Sequence, residues 1–286
     1  MTTTADWQGR VGETWAAEWR RTDRAFTSIG SLLVDAAVDL LDRAPRDKPR
    51  VGDALQLLDV GCGAGSLSLS LAERLDNAHV LGIDLSPDLI DVARERAAEV
   101  SRCRFAVADA ARWQDPAWRP DLIVSRHGVM FFDDPIAAFA HLRGRAAPGA
   151  KLVFSCFRSR SENSWTQAFA PLLPDGPASP DDAPGPFAFA NLNRVSAILN
   201  AAGWRDVVGH AHKVPFVTGG GTDPEADALA FHTRIGSTAS ALASFEDDAE
   251  RAAFTDAMRE VIAAHRFDQE VRFNAAIWII SARANA

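Results

Sequence analysis

The sequence predicts an α/β fold, a mostly parallel sheet with helices on both faces, and three observations lead there. Leu55-Gln-Leu-Leu-Asp-Val60 is a short apolar run, followed by glycines at 61, 63 and 65 and then by leucines along one side of a helix, which reads as strand, tight loop, helix. Four more short apolar runs, 79–84, 104–108, 121–125 and 151–157, alternate with helical stretches, as in βαβ units. With 47% apolar residues in a chain of 286, there is ample material for a large core.

The glycine loop is where a ligand is expected. Gly61, Gly63 and Gly65 let the backbone turn sharply and let a small molecule approach amides that side chains would otherwise cover. A dinucleotide fingerprint needs a glycine where Ser66 stands, and Asp59 at the strand end would repel a pyrophosphate while suiting an ammonium or sulfonium. The second strand, His79 to Asp84, ends in another acid, placed to hold a ribose with both hydroxyls free. Asp59 and Asp84 together point to a cationic nucleoside.

These blocks resemble the class I S-adenosylmethionine-dependent methyltransferases. The matching text is Leu58-Asp-Val-Gly-Cys-Gly-Ala-Gly65, Gly82-Ile-Asp-Leu-Ser-Pro87, Phe105-Ala-Val-Ala-Asp-Ala110, Asp121-Leu-Ile-Val-Ser125 and Pro148-Gly-Ala-Lys-Leu-Val-Phe154. The resemblance covers residues 55 to 157. A bacterial small-molecule subgroup is suggested by the stretch Ser125 to Pro135 and by Pro184-Gly-Pro-Phe-Ala-Phe-Ala190.

The resemblance implies a Rossmann-like, seven-stranded sheet whose last strand is antiparallel, with S-adenosyl-L-methionine as cofactor and S-adenosyl-L-homocysteine as product. It implies that Gly61 and Gly63, with Asp59 and Cys62 beside them, hold the methionine portion, that Asp84 holds the ribose, and that Asp109 with Leu85 and the amide of Ala110 holds the adenine. Ser125 closes the fourth strand beside the transferable methyl group. Methyl transfer to a small, apolar or aromatic molecule is the expected reaction. An NAD-dependent oxidoreductase and a non-catalytic S-adenosylmethionine-binding module remain the alternatives.

Composition narrows the field. A formal net charge of −8 and the lack of any long basic run argue against a nucleic-acid partner. There is no tyrosine for a dehydrogenase that needs a tyrosine acid, and none of Lys48, Lys151 and Lys213 follows a glycine before Ser or Thr, so a Walker-type phosphate loop is missing. Cys62, Cys103 and Cys156 lack the paired spacing of a disulfide or zinc framework, so no metal is expected. The N-terminus lacks a basic patch followed by an apolar stretch and no apolar run reaches membrane-spanning length, so cytoplasm is the expected compartment. Homodimerisation stays open.

In order, residues 1–50 read as a helical cap. Trp7, Trp15 and Trp19 share a helical face suited to closing over a sulfonium, a second helix runs from Phe26 to Leu41, and Ala44-Pro-Arg-Asp-Lys-Pro-Arg-Val-Gly52 is an exposed link. Residues 51–286 form the cofactor domain, with lid insertions at about 158–190 and 218–268. Past the fourth strand, His127 is the imidazole nearest the chemistry and the candidate base, and Met130 and Phe131 are candidates for an acceptor pocket. Trp165 in the first lid and His232, Arg234 and His265 in the second are further acceptor candidates. A sixth strand is expected over Trp204–Val217, with His210 and His212 on one side, and the last over Val271–Ala282.

Overall fold

A computed structural model describes residues 3–42, 54–174 and 183–285. The expected link 44–52 lies outside the described residues. Five strands, β1 (Leu55–Val60), β2 (Ala78–Asp84), β3 (Cys103–Val107), β4 (Leu122–Arg126) and β5 (Lys151–Phe157), run parallel to one another. Two long strands follow, β6 (Arg205–Gly219) and β8 (Glu270–Arg283), with the two-residue β7 (Arg266–Phe267) as the other arm of a short hairpin. The sheet order is 3-2-1-4-5-8-6, with β8 antiparallel to both neighbours. The expected sheet is therefore present, enlarged by β7.

Both faces of the sheet are covered, which explains why its central strands read as unbroken apolar runs. Leu57 to Val60 and Leu152 to Phe157 are buried at every position. Helices α4 (Ser66–Arg74) and α5 (Pro87–Arg96) pack on β2 and β3, each in the crossover position of a parallel unit. Ser86 caps α5 by accepting from the Leu89 amide, and Pro87 sits at the first helical position. Helices α6 (Pro135–Arg145) and α8 (Leu192–Ala201) pack against each other, and Trp204 donates its indole N–H to the Phe139 carbonyl at 3.0 Å between them.

The N-terminal region departs from a single tryptophan-faced helix. Three helices are present, α1 (Thr4–Trp7), α2 (Arg10–Ala17) and α3 (Trp19–Asp42). The break falls at Glu18, a buried carboxylate that pairs with Arg21 and Arg234 and has left helical geometry. Trp15 and Trp19 therefore sit on different helices. Helix α3 begins earlier than expected and packs on β4, β5 and β6, and its Ala25, Ile29, Leu33 and Ala37 belong to the same core cluster as the strands.

Strands β6 and β8 run past the rest of the sheet. Phe157, the last residue of β5, faces Ile277, so residues 271–276 of β8 have left β5 and pair with β6, with β7 joining at Glu270 and Val271, and the strand extends roughly 20 Å beyond, at about 3.4 Å per residue. This ribbon places Phe216 and Phe273 above the carboxyl ends of the parallel strands. Around it lie α9 (Pro224–His232), α10 (Ser237–Ser244) and α11 (Asp248–Ala264), the expected helical insertion. The first lid region is less loop-like than expected. Ser164–Phe169 forms α7, flanked by short 3-10 turns, and a hydrogen bond donated by the Gly185 amide to the Met130 carbonyl ties the segment after it to the loop beyond β4.

Candidate functional site

A cavity of about 520 Å³ opens above the carboxyl ends of β1, β2 and β4, where ligands bind in open α/β sheets. Its floor is the glycine loop. Gly61, Gly63 and Gly65 have φ of 65°, 54° and 80°, a region L side chains rarely adopt. The expected open amides are, however, already engaged. The N–H groups of Gly61 and Cys62 donate to the Ile83 carbonyl and that of Gly63 to Asp84, so the glycines serve close approach and loop shape rather than amide donation. Gly61 lies so near Gly128 that a side chain there would press on that backbone.

Asp59 is fully buried at the end of β1. Ser68 donates its hydroxyl to Oδ2 at 2.7 Å, while Oδ1 has no partner among the described residues. Burial pushes this carboxyl up to about 6, against the lowering effects of Ser68 and the Arg126 charge. Asp84 also lines the cavity; it accepts from the Gly63 amide at 2.9 Å and the Ser86 amide at 3.0 Å, and burial raises its carboxyl too. Leu85, Asp109 and Ala110 follow along the same wall, with Asp109 accepting from the Ala111 amide at 2.9 Å. Cys62 lines the floor, and burial raises its thiol well above the ordinary range.

The N-terminal helices roof this half. Trp7 packs on Trp15 with ring centres 5.7 Å apart and meets Phe131 edge-on at 5.4 Å. Trp15 lines the cavity, but Trp19 does not: it lies between the guanidinium groups of Arg20 and Arg96, at 4.3 and 4.1 Å. Helix α2 comes so close to α5 that a side chain on Gly12 would overlap the Ser86 hydroxyl. Ser125 is likewise outside the lining. Its hydroxyl donates to the Val60 carbonyl at 2.7 Å and accepts from the Gly128 and Val129 amides, so it braces the loop after β4.

His127 sits at the junction of the two halves. It holds φ at 62°, rare for a residue with a side chain, and is 6% exposed. Its Nδ1 shares a hydrogen bond with the Ser155 hydroxyl at 2.8 Å, while Nε2 is buried without a partner. Burial, helped by the charge of Arg126, lowers its pKa to about 3, so the imidazole is neutral. Beyond it the wall becomes aromatic, with Phe26, Phe157, Trp165, Phe216 and Phe231. Met130, Phe131 and His232 complete the sequence-expected lining. Arg234 and His265 do not join it: the former pairs with Glu18, the latter stacks on Phe273 at 4.3 Å.

Sequence reasoning missed Asp23, Phe26, Phe157 and Phe216. Arg126 reaches Asp23 at 3.3 Å; Arg96 reaches the same carboxylate at 2.7 Å and also donates to the Ala64 carbonyl. Helical spacing of Asp23, Phe26 and Gly30 on one face of α3 was a readable signal. Which strand ends that face would meet was not. Among the described residues no group of three or more His, Cys, Asp or Glu is arranged to hold a metal, and no helix is long and apolar enough to cross a membrane.

Residues 57–149 match the methyltransferase domain family. The chain is similar to trans-aconitate 2-methyltransferase of Methylobacterium radiotolerans, 37% identical over 117 residues, or 41% of this chain and 42% of that protein. It is also similar to aklanonic acid methyltransferase DauC of Streptomyces, 30% identical over 154 residues, 52% of this chain and 64% of that one. The match therefore spans less than two thirds of either relative. Haemonchus contortus phosphoethanolamine N-methyltransferase 2, solved with phosphomonomethylethanolamine and S-adenosylhomocysteine, shares the fold at a TM-score of 0.54 and 17% identity, over 100% of this chain and 61% of that one. Residues 57–149 thus form a methyltransferase domain, set in a 3-2-1-4-5-8-6 sheet similar to that of the class I S-adenosylmethionine-dependent methyltransferases.

Proposed function

We propose that this protein transfers a methyl group from S-adenosylmethionine to a small, apolar or aromatic acceptor, with His127 taking the acceptor's proton. The observation that carries this reading is a single cavity with two unlike halves. One is polar, floored by glycines and holding the unpartnered Oδ1 of Asp59; the other is walled by phenylalanines around the unpartnered Nε2 of His127.

The residues present fit the cofactor. Asp59 Oδ1 is a buried acceptor suited to an ammonium, Asp84 retains lone pairs for a diol, and Asp109 stands at the rim for an amino group. Trp15 offers a ring face to positive charge, and Cys62 packs beneath. When bound, S-adenosylmethionine supplies an electrophilic methyl carbon and departs as S-adenosylhomocysteine.

The rest of the work falls to the protein. Holding an acceptor against that methyl in a dry cleft supplies about 7–11 kcal/mol through orientation alone. His127 is a weak base because it is buried, yet an acceptor oxygen becomes strongly acidic as it gains its new bond, and neutral imidazole then receives the proton. Met130, Phe131, Trp165 and His232 shape the acceptor's side. The relatives named above act, by name, on trans-aconitate, aklanonic acid and phosphoethanolamine, so the acceptor of this chain is argued from its own cavity.

Calorimetry with S-adenosylhomocysteine and with NAD, followed by a product-release assay over hydroxylated aromatic acceptors, tests the reading. Binding of the nucleoside without NAD, and its release with an acceptor, is the expected result. Binding of NAD alone indicates an oxidoreductase, and cofactor binding without turnover of any acceptor indicates a non-catalytic module.

A further inference from the structure

The aromatic half of the cavity is built as a chain of rings with a polar atom at each end. His127 meets Phe157 at 4.2 Å, Phe157 meets Trp165 at 5.5 Å, Trp165 meets Phe216 at 5.8 Å, Phe216 meets Phe231 at 6.2 Å, and Phe231 meets His232 at 5.2 Å. Within this wall three buried polar atoms have no partner among the described residues: His127 Nε2, Trp165 Nε1 and His232 Nε2. His232 is 3% exposed and, like His127, is kept neutral by burial. Each such orphan costs on the order of 1–3 kcal/mol unless something fills it. Three orphans on one apolar wall mark positions where a ligand supplies the missing partners.

Charge decides what that ligand carries. Among the described lining residues six aspartates stand against two arginines, and both arginines are already beside carboxylates, Arg126 at 3.3 Å from Asp23 and Arg112 at 3.7 Å from Asp109. An anionic acceptor would find no spare cation among these residues, and burying an unpaired carboxylate is costly. The indole N–H only donates, so the group opposite Trp165 must be an acceptor, a role that a carbonyl or ether oxygen fills. Resting on the methyltransferase reading, we propose that the acceptor is an uncharged ring compound with two oxygen functions, a hydroxyl set at His127 Nε2 and a carbonyl or ether oxygen received by Trp165 Nε1, with His232 Nε2 beside it.

The test uses two probes of one shape on the full chain saturated with S-adenosylhomocysteine: 6-acetyl-2-naphthol, which is uncharged, and 6-hydroxy-2-naphthoate, which places a carboxylate where the ketone was. Calorimetry should show the ketone binding at least about tenfold tighter, because the naphthoate must bury its carboxylate with no cation to pair it. Trp165→Phe should weaken the ketone by about tenfold while leaving plain 2-naphthol, which lacks the second oxygen, within about twofold. Equal or tighter binding of the naphthoate, an unchanged ketone-to-naphthol ratio in the variant, or saturation by neither probe overturns the proposal. Failure of S-adenosylhomocysteine itself to bind is seen in the first titration and counts against the methyltransferase reading instead; the probes are then compared on the cofactor-free chain, where the same ratios decide.

Discussion

The Gly63 amide donates to Asp84 Oδ2 at 2.9 Å, so the glycine loop after β1 and the acid that ends β2 are one mechanical unit. The Ser86 amide fixes the other oxygen at 3.0 Å. A carboxylate held this way presents its remaining lone pairs in a set direction before any ligand arrives, which lowers the entropy cost of binding.

Asp84→Ala should therefore abolish S-adenosylhomocysteine binding in calorimetry while circular dichroism stays that of the wild type. Hydrogen exchange at Gly63 should also quicken, because its amide loses its acceptor. Unchanged affinity would show that Asp84 is not the ribose ligand.

Asp59 should make cofactor binding pH-dependent. Its carboxyl is raised to about 6, so near pH 5.5 the free protein holds a proton there that an arriving ammonium displaces. Titrations in buffers of different ionisation enthalpy should detect proton release at pH 5.5 and almost none from this group at pH 8, and affinity should rise with pH through 6. Asp59→Asn should flatten that dependence and weaken binding by roughly 10- to 100-fold, the range for a hydrogen bond to a charged group.

His127→Gln should lower kcat by on the order of 100-fold or more, the usual worth of a positioned proton acceptor, with cofactor affinity unchanged. Since the imidazole is neutral down to about pH 3, the wild-type rate should show no acid limb near pH 6.5 from this residue. A limb there, lost in the variant, would mean that His127 carries charge in the working enzyme.

Both buried histidines also affect stability. Their pKa values are near 3 in the folded chain against 6.5 unfolded, so the unfolded state binds more protons between those limits and stability falls as pH drops through the window. Each contributes a slope of about 1.4 kcal/mol per pH unit at most. Asp59 works in the opposite sense between about 6 and 3.8, because there the folded state holds the extra proton. Urea midpoints of the free protein should thus decline from pH 7 to pH 5, and His232→Phe should make the decline shallower.

Gly12→Ala tests the roof. An added methyl would overlap Ser86 Oγ and the Trp7 carbonyl, so α2 must lift from the start of α5. Cofactor affinity should fall several-fold and the Trp7 and Trp15 fluorescence should redshift, with the melting of the sheet domain little changed.

By itself, the sequence determined the sheet and the local pattern of the glycine loop with its two acids. An apolar run, three glycines and an acid at each of two strand ends are local patterns: they dictate a strand, a left-handed loop and two carboxylates whatever surrounds them, and 55–157 could be read almost residue by residue. Only the tertiary structure decided the roof and the acceptor end. Trp19 was parted from Trp7 and Trp15 by the helix break at the buried Glu18, Ser125 was turned inward to brace a loop, and Phe157, Phe216 and Phe231 met although they lie on three distant segments. The β6–β8 overhang and the docking of α3 made that meeting, and side chains brought together by long-range packing leave no periodicity in the chain to announce it.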